Sequence, residues 1–194
     1  MIDTEAERMN MQMIRCTRCM HEMKEGERYC PYCGYDQQGE AQPSNALRRG
    51  TVLQGRYLIG NVIGQGGFGI TYVGYDLTLE MKVAVKEYFP SGSAMRTGSI
   101  SGNIQWDFGE NEEKQWAAGI DRFLKEARRM ARLDSVPSVV RVRDCFKENQ
   151  TAYIVMDFVE GVTLKNYLMG HGVMRWEECL RLLGPILDSL AVIH

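Results

Sequence analysis

Residues 64–69, Gly-Gln-Gly-Gly-Phe-Gly, lie between two stretches built for β-structure, and this arrangement constrains the chain more than any other feature. Leu58, Val62 and Ile63 lead in; Ile70, Thr71, Tyr72 and Val73 resume a β-branched and aromatic run. Glycines suit a loop that must come close to phosphate, because no Cβ keeps backbone N–H groups away from the oxygens. Val83-Ala84-Val85-Lys86 is then a short apolar strand ending in a cation. A buried lysine is costly without an anion, so Lys86 is expected to point into a cleft.

Several folds share the G-x-G-x-x-G pattern. In a dinucleotide-binding unit the glycines open a helix, whereas here they open a second strand. A Walker-type loop ends in Gly-Lys-Ser/Thr, which is absent. A plain glycine-rich hairpin with an incidental lysine is the bland alternative. The glycine loop between antiparallel strands, followed by V-A-V-K, resembles the eukaryotic-like (Hanks-type) Ser/Thr protein kinases of bacteria. The run Lys86-Glu87-Tyr88-Phe89-Pro90 resembles a subgroup of them.

That resemblance implies an α+β fold: a kinase N-lobe with a five-stranded antiparallel sheet and one main helix, then a hinge and the first helices of the C-lobe. It implies ATP bound by Ile63, Gly64, Gly66, Gly67, Phe68, Gly69, Thr71, Ala84 and Lys86, with Val62 also lining the adenine slot. Thr71 departs from the family's usual valine there. The apolar residues Trp116, Ile120, Phe123, Ala127 and Met130 recur at helical spacing. By phase, Glu126 on that helix matches the glutamate that in the family pairs with the lysine and orients it towards the α- and β-phosphates. Its alternative is an ordinary solvated helix charge. Ala152–Met156 reads as a fully apolar strand. By the family pattern Met156 is the gatekeeper, and the backbone of Asp157 and Val159 pairs with the adenine edge. Thr163 is expected to cap the next helix and is a weaker ribose contact. Residues 87–112, rich in Gly and Ser, read as an insertion with a small hairpin around Ser99–Asn103.

Ahead of this domain, Cys16-x-x-Cys19 and Cys30-x-x-Cys33 supply four thiolates, the ligand set of a structural zinc site. Arg15, Arg18, Lys24 and Arg28 are near enough in sequence to offset the cluster's negative charge, and His21 is expected at the surface. Cys30-Pro31-Tyr32-Cys33 also looks like a glutaredoxin tetrad, but Gly34 and a polar tail follow where a helix should start. The spacing resembles a zinc ribbon, held folded by its metal because few apolar residues surround it. The expected organisation is a disordered 1–13, a zinc ribbon over 14–35 and a polar linker over 36–50. An incomplete kinase domain follows over 51–194, with N-lobe 51–156, hinge 157–161 and the start of the C-lobe at 162–194.

With 194 residues, 44% hydrophobic and 25% charged, the composition is that of a soluble globular chain. A net charge of −2 argues against a nucleic-acid or polybasic membrane surface. No apolar run reaches the ~18 residues of a membrane span, and the acidic N-terminus is no secretory signal. Clustered cysteines without a signal point to the cytoplasm and to metal rather than disulfides. Cys145 and Cys179 read as core residues. The helix over 176–194 is apolar on more than one face and carries Pro185. In the family the catalytic loop, the metal-binding asparagine and the magnesium-binding aspartate come after it. The expectation is an ATP-dependent kinase acting on protein hydroxyls, of which this stretch holds the ATP-binding half, inactive alone, with the Mg ligands beyond it. The competing readings are a nucleotide-binding pseudokinase or scaffold, and a zinc-ribbon interaction head.

Overall fold

The computed structural model describes residues 13–91, 94–96, 102–106 and 112–193. The expected disordered terminus (except Met13) and the tip of the Ser99–Asn103 hairpin fall outside these.

Two strands, β1 (Met13–Arg15) and β2 (Glu22–Lys24), pair antiparallel and form the scaffold of the cysteine module. The main sheet is antiparallel. It contains β3 (Val52–Leu53), β4 (Tyr57–Gly66), β5 (Gly69–Asp76), β6 (Met81–Tyr88), β9 (Val142–Glu148) and β10 (Thr151–Asp157), in the order β3-β4-β5-β6-β10-β9. Five of these are the expected long strands; the two-residue β3 adds an edge. Between β6 and β9 come a two-residue hairpin pair, β7 (Ala94–Met95) with β8 (Gln105–Trp106), and the helix α1 (Glu112–Ala131). Helices α2 (Leu164–His171) and α3 (Trp176–Ile193) follow the sheet.

Alternation divides the sheet into two faces. Ile154 and Met156 lie on one, packed with Ala152 under Ile120, Phe123, Leu124 and Ala127 of α1. This is the amphipathic face that the helical spacing predicts. Tyr57, Ile59, Tyr72, Val83, Val85, Tyr153 and Val155 lie on the other, and they are not left to solvent. Leu47, Phe89, Ala94 and Ile104 cover them, forming a second core.

That cover corrects two expectations. Residues 36–50 do not run as a free linker: Ala46 and Leu47 are buried in the second core. The Leu47 N–H donates to the Tyr72 hydroxyl (3.0 Å), and the Gln42 amide bridges the Leu47 carbonyl and the Val62 N–H. A polar average concealed two apolar residues that the sheet needed. The segment after β6, read as an insertion, likewise supplies Ala94 and Ile104 to the same core.

The cysteine module docks on the sheet. The Asn61 N–H donates to the Thr17 carbonyl at 2.7 Å, and the Arg15 guanidinium lies 3.5 Å from the Tyr75 ring centre. Gly60 makes this approach possible, because a Cβ there would sit 2.3 Å from both the Thr17 carbonyl oxygen and Met20 Cε.

Candidate nucleotide site and metal centre

Strands β4 and β5 form one hairpin, with Gly66 opposite Gly69 across its tip. β5 then pairs with β6 in unbroken register, placing Lys86 opposite Thr71 and Ala84 opposite Val73. On the other side of β6, Lys86 faces Ile154 and Ala84 faces Met156. Cross-strand partners share a face, so Thr71, Ala84, Lys86 and Met156 lie together on the α1 side of the sheet. The structure thus brings together residues far apart in sequence. Space is open beside Gly64 and Gly66, whereas a Cβ at Gly69 would lie 2.3 Å from the Glu87 carbonyl oxygen. Ile63 is half exposed and Phe68 projects from the loop.

Val62 belongs to the opposite face. It pairs with Tyr72 and packs against the second core, because the β4 register shifts on both sides of it. The adenine-slot expectation for Val62 is therefore withdrawn.

The Lys86 ammonium lies 5.9 Å from the Phe123 ring centre, under α1. Among the described residues no ion pair joins it to Glu126, which is exposed. Glu126 sits beside the buried Phe123–Ala127 stripe of α1 and is itself exposed. In the hinge segment, the Asp157 N–H donates to the Arg141 carbonyl at 2.9 Å and its carboxylate pairs with Arg143. Val159 is exposed. Lys82 pairs with Glu160 (2.7 Å) and lies over the Phe158 ring. Thr163 caps α2 as its residue type predicts, its hydroxyl accepting from the Asn166 N–H at 3.2 Å.

One buried polar cluster was missed from sequence. Glu87 is fully buried and pairs with Arg96, itself nearly so. The Tyr72 and Tyr153 hydroxyls donate to the same carboxylate at 2.7 and 2.8 Å. Arg96 also donates to the Asn45 carbonyl at 2.7 Å and the Gly102 carbonyl at 3.1 Å. Burial and then the Glu87 charge push both tyrosine hydroxyls well above their usual range. Burial opposes the Arg96 charge, but the Glu87 carboxylate outweighs it and holds the guanidinium above its ordinary value. The signal available in the sequence was Glu87 in a strand position of inward phase, with no partner visible nearby.

The four cysteine sulfurs lie within 4.8 Å of one another. Cys16 and Cys33 Sγ are 3.7 Å apart and Cys19 and Cys30 Sγ 3.6 Å. A tetrahedron with metal–sulfur bonds of about 2.3 Å has edges of about 3.8 Å, so the donor set fits a four-cysteine zinc site. The Gln37 amide donates to Cys16 Sγ at 3.2 Å. Burial raises the Cys16 thiol, but N–H donors from Cys19, Arg18 and Gln37 bring it down to about 7. His21 is exposed, stacked on Tyr32, and outside the cluster. Arg15 and Arg28 are already engaged by Glu22 and Asp36.

A glycine-tipped hairpin, a lysine on the third long strand, a helix across that face and a hinge running into further helices define the N-terminal lobe of a protein-kinase fold. The protein kinase domain family matches residues 57–194, and the chain belongs to that family. It is 32% identical over 145 residues to the serine/threonine-protein kinase PrkC of Bacillus subtilis (strain 168), covering 75% of this chain and 19% of PrkC. It is 30% identical over 143 residues to PknL of Mycobacterium tuberculosis (strain ATCC 25618 / H37Rv), covering 74% of this chain and 30% of PknL. The chain therefore spans less than a third of these relatives. Among solved structures, the PpkA-294 apo form matches with a TM-score of 0.59 at 38% identity, over 66% of this chain and 43% of that one. The M. tuberculosis PknI kinase domain shares the fold at 20% identity, with a TM-score of 0.54 over 77% of this chain and 51% of that one. Among the described residues no helix is long and apolar enough to cross a membrane.

Proposed function

We propose that this chain is the ATP-binding half of a Ser/Thr protein kinase that transfers phosphate from ATP to protein hydroxyls. The observation that carries the reading is the register of the hairpin: Lys86 sits directly opposite Thr71, two residues past Gly69. A triphosphate under the glycine loop would find backbone N–H donors above it and the Lys86 ammonium beside it. Ile63, Thr71, Ala84 and Met156 would take the adenine, with the main chain of Asp157 and Val159 at its edge and Thr163 near the ribose. Magnesium, whose ligands lie outside this chain by the family pattern, would neutralise charge on the phosphates. Cys16, Cys19, Cys30 and Cys33 would hold structural zinc, which folds the ribbon and takes no part in phosphoryl transfer.

The open Lys86–Glu126 pair favours a second reading, a scaffold that binds nucleotide without turnover, because catalysis in this family needs that pair closed. One experiment separates the two. In the full-length protein, Lys86→Met is expected to abolish autophosphorylation with labelled ATP while leaving the thermal midpoint nearly unchanged. Equal phosphorylation by wild type and variant would overturn the site assignment. No phosphorylation by the wild type, with ATP still bound, would favour the scaffold.

A further inference from the structure

Residues just beyond Lys86 return to the tip of the glycine loop. The Phe89 N–H donates to the Phe68 carbonyl at 3.2 Å, and the Ser91 N–H donates to the Gly67 carbonyl at 3.0 Å. The Ser91 hydroxyl donates to that same Gly67 carbonyl at 3.2 Å. These bonds extend the β5–β6 ladder, whose last pair is Gly69 with Tyr88, out to the loop itself. Gly69 is required for the closeness: any side chain there would strike the Glu87 carbonyl. Glu87, two residues before Phe89, is itself held by a buried ion pair with Arg96.

From this geometry we infer that the segment Phe89–Ser91 is a strap that presets the glycine loop for nucleotide, and that Ser91 is a positioning residue. The proposal rests on the ATP-site reading above. Its physical basis is the orientation of one peptide unit. All peptides among the described residues are trans, so a carbonyl and the following N–H point in opposite directions. Holding the Gly67 carbonyl against Ser91 turns the Phe68 N–H away from the strap, free to meet an anion. The same bonds take up carbonyl oxygens that would otherwise be able to swing round and repel phosphate. A loop held this way binds with less ordering cost than a free glycine hairpin.

Ser91 is exposed and among the described residues its side chain bonds to the Gly67 carbonyl, so Ser91→Ala removes one loop tether and is expected to leave the fold intact. In the full-length protein the variant is expected to raise the KM for ATP, and the Kd for a non-hydrolysable ATP analogue, about 3- to 10-fold, as loss of one hydrogen bond implies. The kcat and the thermal midpoint should stay near wild type, and Ser91→Thr should restore the affinity. A purely structural role would move the midpoint and leave the KM-to-kcat ratio alone. Unchanged or tighter binding in Ser91→Ala, or no rescue by threonine, overturns the strap. If Lys86→Met kept full activity, the ATP-site reading itself would fail, whatever Ser91 did.

Discussion

The backbone N–H of Asn61 donates to the carbonyl of Thr17 across 2.7 Å, joining the cysteine module to the strand that leads into the glycine loop. With Arg15 stacked on Tyr75, this makes the module part of the sheet's surface rather than a detached head. Gly60 decides it. Gly60→Ala would place a methyl 2.3 Å from the Thr17 oxygen, a backbone atom that cannot step aside. The variant is expected to undock the module and to lose about 1–3 kcal/mol of stability. Hydrogen exchange at Asn61 reads the outcome; slow exchange in the variant would show that the contact survives.

Zinc removal should be felt on both sides of that contact. A chelator is expected to release about one zinc ion per chain and to unfold the module. Because Thr17 and Met20 lie against Gly60, the sheet should then melt at a lower temperature. An unchanged sheet transition would mean that module and sheet are stabilised independently. Zinc titration with a chromogenic chelator, followed by calorimetry, gives both readings.

The Glu87–Arg96 pair tests what the insertion does. Arg96→Met leaves the Glu87 carboxylate buried with only the two tyrosine hydroxyls, an uncompensated charge expected to cost about 3–5 kcal/mol. Glu87→Gln with Arg96→Met together should cost less than Arg96→Met alone. Urea denaturation of the single and double variants measures the difference. A double variant as unstable as the single would mean that packing, not charge, holds the segment.

Acid should loosen the β5–β6 turn. Asp76 is buried, and although burial raises its carboxyl, the Arg56 guanidinium at 2.7–2.9 Å and the Thr78 and Leu79 N–H groups bring it below the usual range. A depressed folded value means stability that is complete above the unfolded pKa of about 3.9 and is lost as pH falls through the folded value. Asp76→Asn should therefore be less stable than wild type at neutral pH, with the gap closing below about pH 4. Thermal midpoints across that range would show it; a gap independent of pH would place the effect elsewhere.

Much of the fold was legible because its signals are local. β-Branched and apolar runs marked the strands, helical spacing marked α1, and Thr163 announced the start of α2. The paired Cys-x-x-Cys knuckles announced four sulfurs that do converge. Register was harder. Val62 reads as part of an adenine slot until shifts in β4 turn it to the opposite face. Glu126 has the right phase to approach Lys86, yet whether a helix flank reaches a strand depends on how the helix is tilted over the sheet.

By itself the sequence determined the glycine hairpin, the lysine strand and the paired cysteines, because each is dictated by spacing within a few dozen residues. Only the tertiary structure decided what covers the far face of the sheet. Leu47, Ala94 and Ile104 come from two polar segments whose averages hide them, and Glu87 finds Arg96 only once the chain has folded back. A buried charge and an apolar face have to be satisfied, but physics does not specify in advance which distant residue will do it.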